Sequence, residues 1–382
     1  SSHLGYNLES LGARLFIEVC GFACTASRVR FDAMGNEASV TQGVPPSFGT
    51  QKCLEPVGGF APIPSVGDSF RKCSPEKNGD GEGLPCLNPT EVGVASNEAR
   101  LVAKMPGVLE VCELLGSGSF SHVFRCRVVG EAEHVAVKLC TQDSNLVLAR
   151  EASLLLGLSH VNLVRLHRVI EGPPVGLFLQ LCGGGDLSEL LHSEKYAERI
   201  RCVQLKPRVQ SWLQISCAVE YLHSRTIIHR DIQPANCFLT QPPESVSEKT
   251  IPLIKVGDLS VSRHVDASRL TAGVGNCRYT APEAFEDEHY GLPVDIYATG
   301  IIGHELCSGQ VPYESPGMPK QREVSIIIMV ADGQRPDPNA LPAHPKKENI
   351  QALINQCWHQ EPERRPTAEA LVELLRQLLW IL

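Results

Sequence analysis

The stretch from His229 to Asn236 holds residue types that phosphoryl transfer requires, within a short polar loop. It reads His-Arg-Asp-Ile-Gln-Pro-Ala-Asn, follows an amphipathic run that ends at His223, and precedes a short apolar stretch from Cys237. Asp231 can accept a proton from an attacking hydroxyl, and Asn236 can hold a metal ion beside a phosphate. The loop therefore predicts a phosphoryl-transfer site, provided that phosphate-binding residues occur elsewhere in the chain.

The eight residues resemble the catalytic loop of protein kinases, His-Arg-Asp-x-Lys-x-x-Asn, with Gln233 in place of the lysine. A glycine-containing stretch, Gly116 to Phe124, follows a predicted strand at 108–115 and precedes Val-Ala-Val-Lys, which ends at Lys138. Glycines let a backbone approach phosphate oxygens closely, and free N–H groups there favour anions. This order resembles the kinase loop that covers ATP, followed by the lysine that binds its phosphates.

The resemblance implies a set of site residues. Asp231, Lys138, Glu151 and Gln233 would be catalytic, with Glu151 on a helix at about 143–158 and paired to Lys138. An apolar strand enters a hinge near Cys182, whose backbone would bind adenine, and Asp186 would meet the ribose. The residues expected to bind ATP are Gly116, Ser117, Gly118, Ser119, Val123, Ala136, Lys138, Gln180, Cys182, Asp186 and Phe238.

A strand from Ile254 ends in Asp258, which resembles the aspartate of the kinase Asp-Phe-Gly element. Asn236 and Asp258 are accordingly expected to bind Mg²⁺. Leu259 and Ser260 replace the family's phenylalanine and glycine, and Ser121 replaces a third glycine in the ATP-covering loop. We expect Leu259 to pack in the same apolar stack as the phenylalanine.

Two departures from the family pattern fall on one contact. In serine/threonine kinases the catalytic-loop lysine contacts a threonine in a Gly-Thr-x-x-Tyr segment, whereas this chain has Gln233 and Asn276. Both replacements are amides, which donate and accept hydrogen bonds. We therefore predict that the two amides form a hydrogen bond. This bond would keep the segment 275–279, called the substrate loop below, near Asp231.

Three further motifs indicate the fold. Ala281-Pro282-Glu283 resembles the end of a kinase activation segment, Asp295 resembles the buried acid that anchors the catalytic loop, and Arg365 would pair with Glu283. The signature around Arg365 resembles that of tyrosine kinases and tyrosine-kinase-like kinases. The expected fold is α+β and two-lobed, with a small antiparallel sheet and one helix at 108–181 and a larger, mainly helical lobe at 182–382.

Residues 1–107 differ in composition from the rest of the 382-residue chain. From Asp32 to Pro106 the sequence is rich in Gly, Pro, Ser, Asn and Glu, and it lacks periodic apolar residues. Such a segment buries too little apolar surface to offset chain entropy. We predict a mostly disordered leader, with a small domain at 8–31 as the alternative.

Net charge and composition argue against some classes of binding partner. The net charge of −8 argues against nucleic-acid binding, which usually uses a basic face. No apolar run approaches the ~20 residues of a membrane span. The fifteen scattered cysteines lack zinc-ligand spacing and indicate free thiols in a reducing compartment. We expect a cytoplasmic location and protein substrates.

Three classes of function fit these motifs. The first is an active protein kinase that uses ATP and Mg²⁺ to modify serine or threonine, as the proline at position 234 favours. The second is a pseudokinase that serves as an ATP-binding or scaffold module, which the replacements at Ser121, Gln233, Leu259 and Ser260 favour. The third is a small-molecule phosphotransferase, against which the Ala-Pro-Glu and Arg365 motifs argue. We favour a serine/threonine kinase slowed by the missing lysine charge.

Overall fold

The computed structural model describes residues 96–117, 121–140, 145–171, 175–265, 275–286, 290–314 and 321–382. Within these ranges no helix is long and apolar enough to cross a membrane. No disulfide joins any two of the ten cysteines in the same ranges.

The first lobe is a five-stranded antiparallel sheet with the order β1-β2-β3-β5-β4. Its strands are β1 (Val108–Ser117), β2 (Ser121–Val128), β3 (Val135–Cys140), β4 (Leu166–Ile170) and β5 (Gly176–Gln180). All six residues of β3 are buried, as its run of apolar residues suits a central strand. Helix α2 (Asn145–Leu155) packs against β3 and β5, and it ends three residues before the end predicted at 158.

A short helix, α1 (Asn97–Ala103), precedes the sheet and packs against it. Ser96 caps its first turn, and Val102 and Met105 are buried in one cluster with Phe124 of β2. Because these residues complete the core of the first lobe, the lobe begins before the predicted boundary at 108. Residues 96–107 therefore do not belong to a disordered leader, while residues 1–95 lie outside the described ranges.

The second lobe is mainly helical. Its helices are α3 (Leu187–His192), α4 (Ala197–Cys202), α5 (Leu205–His223), α6 (Glu283–Glu286), α7 (Pro293–Ser308), α8 (Glu323–Ala331), α9 (Lys347–Cys357) and α10 (Ala368–Ile381). Helix α5 contacts both α7 and α10 and buries apolar residues at helical spacing, including Val209, Trp212 and Ile215. Helix α7 is buried along nearly its whole length, which makes it the centre of this lobe.

Four short strands lie in the segments that carry the candidate site. Strand β7 (Cys237–Leu239) pairs with β8 (Ile254–Val256), and β6 (Ile227–Ile228) pairs with β9 (Arg263–His264). The polar loop 229–236 runs from β6 to β7, and Asp258 follows β8 closely. The two pairings therefore bring the predicted base and the predicted metal ligands to one region.

Candidate active site

Lys138 lies between two carboxylates. Its Nζ is 3.0 and 2.8 Å from the two oxygens of Glu151 and 2.7 Å from Oδ1 of Asp258. Strand β3 supplies the lysine, helix α2 the glutamate, and the segment after β8 the aspartate. The predicted pairing of Lys138 with Glu151 is thus confirmed, and the lysine is directed toward the predicted metal ligand.

Lys138 and Asp258 stabilise each other's charges. Burial opposes the positive charge of Lys138, but Glu151 and Asp258 outweigh that effect and raise the pKa of the ammonium group. Burial also opposes the charge of Asp258, and contact with Lys138 outweighs it and lowers the pKa of that carboxyl. At neutral pH the site therefore presents a cation and an ionised carboxylate, as phosphate and metal binding require.

The loop that carries Asp231 is anchored by Asp295 of α7. The buried Asp295 carboxylate accepts hydrogen bonds from the backbone N–H groups of His229 at 2.8 Å and Arg230 at 2.9 Å. Arg230 has a φ of 70°, a conformation that costs a non-glycine residue roughly 1–3 kcal/mol. The two bonds hold this strained residue in place, and the anchoring role predicted for Asp295 is confirmed.

Both oxygens of the Asp231 carboxylate accept a hydrogen bond from an amide. Gln233 Nε2 donates to Oδ1 at 2.8 Å, and Asn236 Nδ2 donates to Oδ2 at 2.7 Å. A carboxylate oxygen has two lone pairs, so each oxygen can still accept the proton of a hydroxyl. The side-chain oxygen of Asn236 is the one that suits a hard metal ion.

The predicted pair of amides is present. Asn276 Nδ2 donates to Gln233 Oε1 at 3.2 Å, while Asn276 Oδ1 accepts the backbone N–H of Arg278 at 3.1 Å. Gly275 has a φ of 96°, and a Cβ there would lie 3.0 Å from Asp231 Oδ1. The substrate loop therefore closes directly over the candidate base, through Gly275 and the amide pair.

The other predicted ATP-binding residues that the structure describes lie in β1, β2, β3, β5 and β7 and in the segment between β5 and α3. Val123 of β2 pairs with Lys138, and Gln180 ends β5 just before Cys182. Asp186 Oδ1 caps helix α3 by accepting the N–H of Glu189 at 2.9 Å. Gly116 and Ser117 end β1, Ala136 lies buried in β3, and Phe238 is partly buried in β7. Gly118 and Ser119 lie outside the described residues.

The residues present fit an ATP–magnesium complex. Asp258 and Asn236 offer a carboxylate and an amide oxygen, the ligand types that Mg²⁺ prefers, and Lys138 offers a buried cation for phosphate. Within the described ranges no group of three or more His, Cys, Asp or Glu side chains could hold a metal ion. A magnesium ion held by Asp258 and Asn236 would take its remaining ligands from oxygens of the nucleotide and from water.

The predicted contact of Arg365 with Glu283 is also confirmed, and Leu259 is buried in the core. Arg365 donates to both oxygens of Glu283, at 2.6 and 2.8 Å, from a side chain with no exposed surface. Leu259 is buried in the same cluster as Leu155, and Leu166 packs against that cluster. The exchange of phenylalanine for leucine at position 259 is thus accommodated in the core.

Two features near the site were not predicted from the sequence. The first is a group of arginines, in which burial of Arg263, together with the charges of Arg150 and Arg230, lowers the pKa of Arg263 to about 10. The second is Gly257, which packs closely against Val164 and Phe238, two residues that are distant from it in the sequence.

Two hydroxyls are predicted as sites of phosphorylation, because in kinases an arginine at the position of Arg230 often pairs with a phosphate on the activation segment. Ser268 and Thr271 are midway between Asp258 and Glu283 in the sequence. Both lie outside the described residues, so their modification stays a prediction.

Comparison with known proteins places these motifs in one family. The family profile described as "Protein kinase domain" matches residues 109–375. Over 275 residues the chain is 30% identical to mitogen-activated protein kinase kinase kinase 7 of Bos taurus, covering 71% of this chain and 44% of that protein. Over 276 residues it is 29% identical to a probable serine/threonine-protein kinase of Dictyostelium discoideum, covering 71% and 28%.

A tyrosine kinase is similar to the same extent. Over 272 residues the chain is 30% identical to protein-tyrosine kinase 6 of Mus musculus, covering 69% of this chain and 55% of that protein. The chain spans less than half the length of the Bos taurus and Dictyostelium proteins. The matched region contains every candidate site residue described above.

Proposed function

Because this chain belongs to the protein kinase family, we propose that it transfers the γ-phosphate of ATP to serine or threonine hydroxyls of protein substrates. The observation that carries the proposal is the position of Lys138, within 3.0 Å of Glu151 and of Asp258. This arrangement leaves the lysine charged and directed at the nucleotide site, which an active kinase needs.

The roles of the side chains follow from their chemistry. Bound ATP with Mg²⁺ supplies the phosphoryl group and neutralises its charge, and Asp258 and Asn236 would hold the ion. Lys138 orients the phosphates. Asp231 accepts the proton of the substrate hydroxyl. The oxygen of that hydroxyl bonds to the γ-phosphorus while the bond between this phosphorus and ADP breaks.

Serine/threonine specificity is supported by the substrate loop. Gln233 and Asn276 make a hydrogen bond between the two positions at which serine/threonine kinases place a lysine and a threonine. Pro234 also fits the serine/threonine pattern. The relatives do not separate the two specificities, because a tyrosine kinase and a serine/threonine kinase are about equally similar to the chain.

The pseudokinase alternative receives less support. Lys138, Glu151, Asp231, Asn236 and Asp258 are all present, and the leucine at 259 is accommodated. What the chain lacks is a cation at position 233, so we propose slow transfer.

The test is transfer of labelled phosphate from ATP to a mixture of serine, threonine and tyrosine peptides, followed by phospho-amino-acid analysis. Lys138→Met is the matched variant, and its folding is checked by thermal unfolding. We expect phosphoserine or phosphothreonine from the wild type and none from the variant. Phosphotyrosine alone would overturn the specificity, and equal transfer by both chains would overturn the role of Lys138.

A further inference from the structure

A cavity of about 730 Å³ lies in the second lobe, away from the candidate nucleotide residues. Its walls come from the end of α3, from α4, from the start of α5, from the last turn of α7 and from the segment 342–344. Cys307 of this cavity follows Asp295, the anchor of the catalytic loop, by twelve residues along α7, which is roughly 18 Å of helix. The cavity is therefore separate from the candidate active site.

The charged side chains that line this cavity are all basic. They are Arg201, Lys206 and Arg208, and His344 lies with them. Arg201 pairs with Glu198 at 2.9 Å on the exposed surface of α4, whereas Lys206 and Arg208 have no such pair among the described residues. No Asp or Glu of the described ranges lines the cavity. The cavity therefore has a positive potential that favours an anion.

Arg208 is the buried cation of this group, with only 9% of its surface exposed. Its Nε donates to the carbonyl of Val203 at 3.1 Å, Nη1 to that of Leu306 at 2.8 Å, and Nη2 to that of Ile200 at 2.6 Å. A guanidinium has five N–H groups, so two remain. Within the ranges that the structure describes, no other acceptor takes these two.

The three carbonyls hold the guanidinium in place but do not supply a counter-charge. They belong to the ends of α4 and α7, where helix dipoles favour a cation and offset part of the cost of its burial. Burial nevertheless lowers the pKa of the Arg208 guanidinium. Buried charges usually pair with an opposite charge, because desolvation is otherwise costly. An anion in the cavity would provide that pair.

Much of the remaining wall is apolar. Leu191, Ile200 and Val203 line the cavity and are buried, and Leu205 and Ala343 also contribute. Small-molecule sites typically combine such apolar walls with a few polar groups, in volumes of about 300–1,000 Å³. The size and the apolar walls suit an organic compound better than a bare inorganic ion.

We propose that this cavity binds a small organic anion. Its acidic group would meet the two remaining N–H groups of Arg208, and its apolar part would lie against Leu191, Ile200 and Val203. Carboxylates, phosphates and sulfonates all present oxygens that suit a guanidinium fork. The site does not depend on the proposed function, because its residues are not those that would bind ATP.

The test uses two fluorescent probes that differ in one sulfonate group, 8-anilinonaphthalene-1-sulfonate and the neutral N-phenyl-1-naphthylamine. Each is titrated into the full chain, with and without Mg²⁺-ADP. Arg208→Gln and Lys206→Gln remove charge, and Ala343→Trp adds bulk to the cavity wall. Lys104→Gln and Ala103→Trp are the matched controls, because both residues are exposed in the first lobe. Thermal unfolding of each chain without probe checks the fold.

We expect the wild type to bind the sulfonate saturably, and Mg²⁺-ADP not to displace it from this cavity. Arg208→Gln should weaken sulfonate binding about tenfold or more, and Lys206→Gln about two- to fivefold. Neither change should alter the affinity for the neutral probe by more than about twofold. Ala343→Trp should weaken both probes by at least about fivefold through steric exclusion, and the controls should behave like the wild type.

Absence of saturable sulfonate binding, or its complete displacement by Mg²⁺-ADP, would overturn the proposal. An unchanged sulfonate affinity in Arg208→Gln would do the same, and Lys206→Gln decides this point if Arg208→Gln does not fold. Equal losses for the two probes in the charge variants would show that the cavity does not recognise an acidic group.

The outcome is independent of phosphate transfer. A chain that binds the sulfonate as expected but transfers no phosphate would support the anion site and contradict the proposed function. A chain that transfers phosphate but does not bind the sulfonate would do the reverse.

Discussion

Restoring a lysine at position 233 should reveal what the amide pair contributes to transfer. In the structure Gln233 Nε2 lies 2.8 Å from Asp231 Oδ1, and Gln233 Oε1 lies 3.2 Å from Asn276 Nδ2. A lysine ammonium can replace the first contact and adds a positive charge. It cannot replace the second, because it has no acceptor for the Asn276 amide.

The conflict cannot be relieved by turning the Asn276 amide. Its oxygen already accepts the backbone N–H of Arg278 at 3.1 Å, and a turn would lose that bond. In Gln233→Lys the lysine ammonium and the Asn276 amide are both donors and cannot bond to each other. The substrate loop therefore loses one of its contacts with the catalytic loop. Threonine at 276 would remove the conflict, because a hydroxyl can accept from the lysine.

The expected gain in turnover follows from the positive charge that a lysine would add at position 233. One donor aimed at developing charge is worth about 2.7–4 kcal/mol, or about 10²–10³ in turnover, where that has been measured in another enzyme class. Coupled neighbours typically interact by about 0.5–3 kcal/mol. We expect the kcat of the double variant Gln233→Lys with Asn276→Thr to exceed the value obtained by multiplying the effects of the two single variants. The excess should correspond to a coupling free energy of about 0.5–3 kcal/mol.

The assay is steady-state transfer to a serine or threonine peptide, with kcat and both KM values measured for the wild type, the two single variants and the double variant. Strictly multiplicative effects on kcat would show that positions 233 and 276 do not act together.

Three further outcomes are expected. A chain that begins at Ser96 should be more stable than one that begins at Val108 by about 2–5 kcal/mol in chemical unfolding, because α1 buries apolar side chains; equal stability would contradict that packing. Burial raises the pKa of Cys182 to about 11, so its alkylation at pH 8 should be slow and rise about tenfold per pH unit; a fast, pH-independent reaction would disagree. If a phosphate on Ser268 or Thr271 binds the arginines at 150, 230 and 263, phosphatase treatment should lower turnover, and the double alanine variant should not respond.

The contacts that the sequence predicts are those whose partners both belong to motifs. The roles of Glu151 and Asp295 follow from kinase motifs, which fix their spacing from Lys138 and from the catalytic loop. The bond between Gln233 and Asn276 is predictable because two departures from one pattern fall on residues that touch in the family. In each case the fold that the motifs imply supplies the proximity.

The features that the sequence does not predict depend on packing. Helix α1 has only seven residues, too few for a periodic signal, and it is stabilised by burial of Val102 and Met105 against the sheet. The sequence does not show why residue 257 is a glycine, because the space for a side chain there is limited by the ring of Phe238. Such contacts join elements whose approach is set by tertiary structure.

The central claim is that this chain transfers phosphate with Asp231 as the base, and one comparison tests it most directly. Labelled-ATP transfer to protein or peptide serine and threonine is measured for the chain from Ser96 to Leu382 and for its Asp231→Asn variant, with ADP binding measured for both. We expect transfer by the wild type, a loss of at least about 10²-fold in the variant, and nearly unchanged ADP affinity. Equal transfer by the two chains, or ADP binding without transfer by either, would contradict the account.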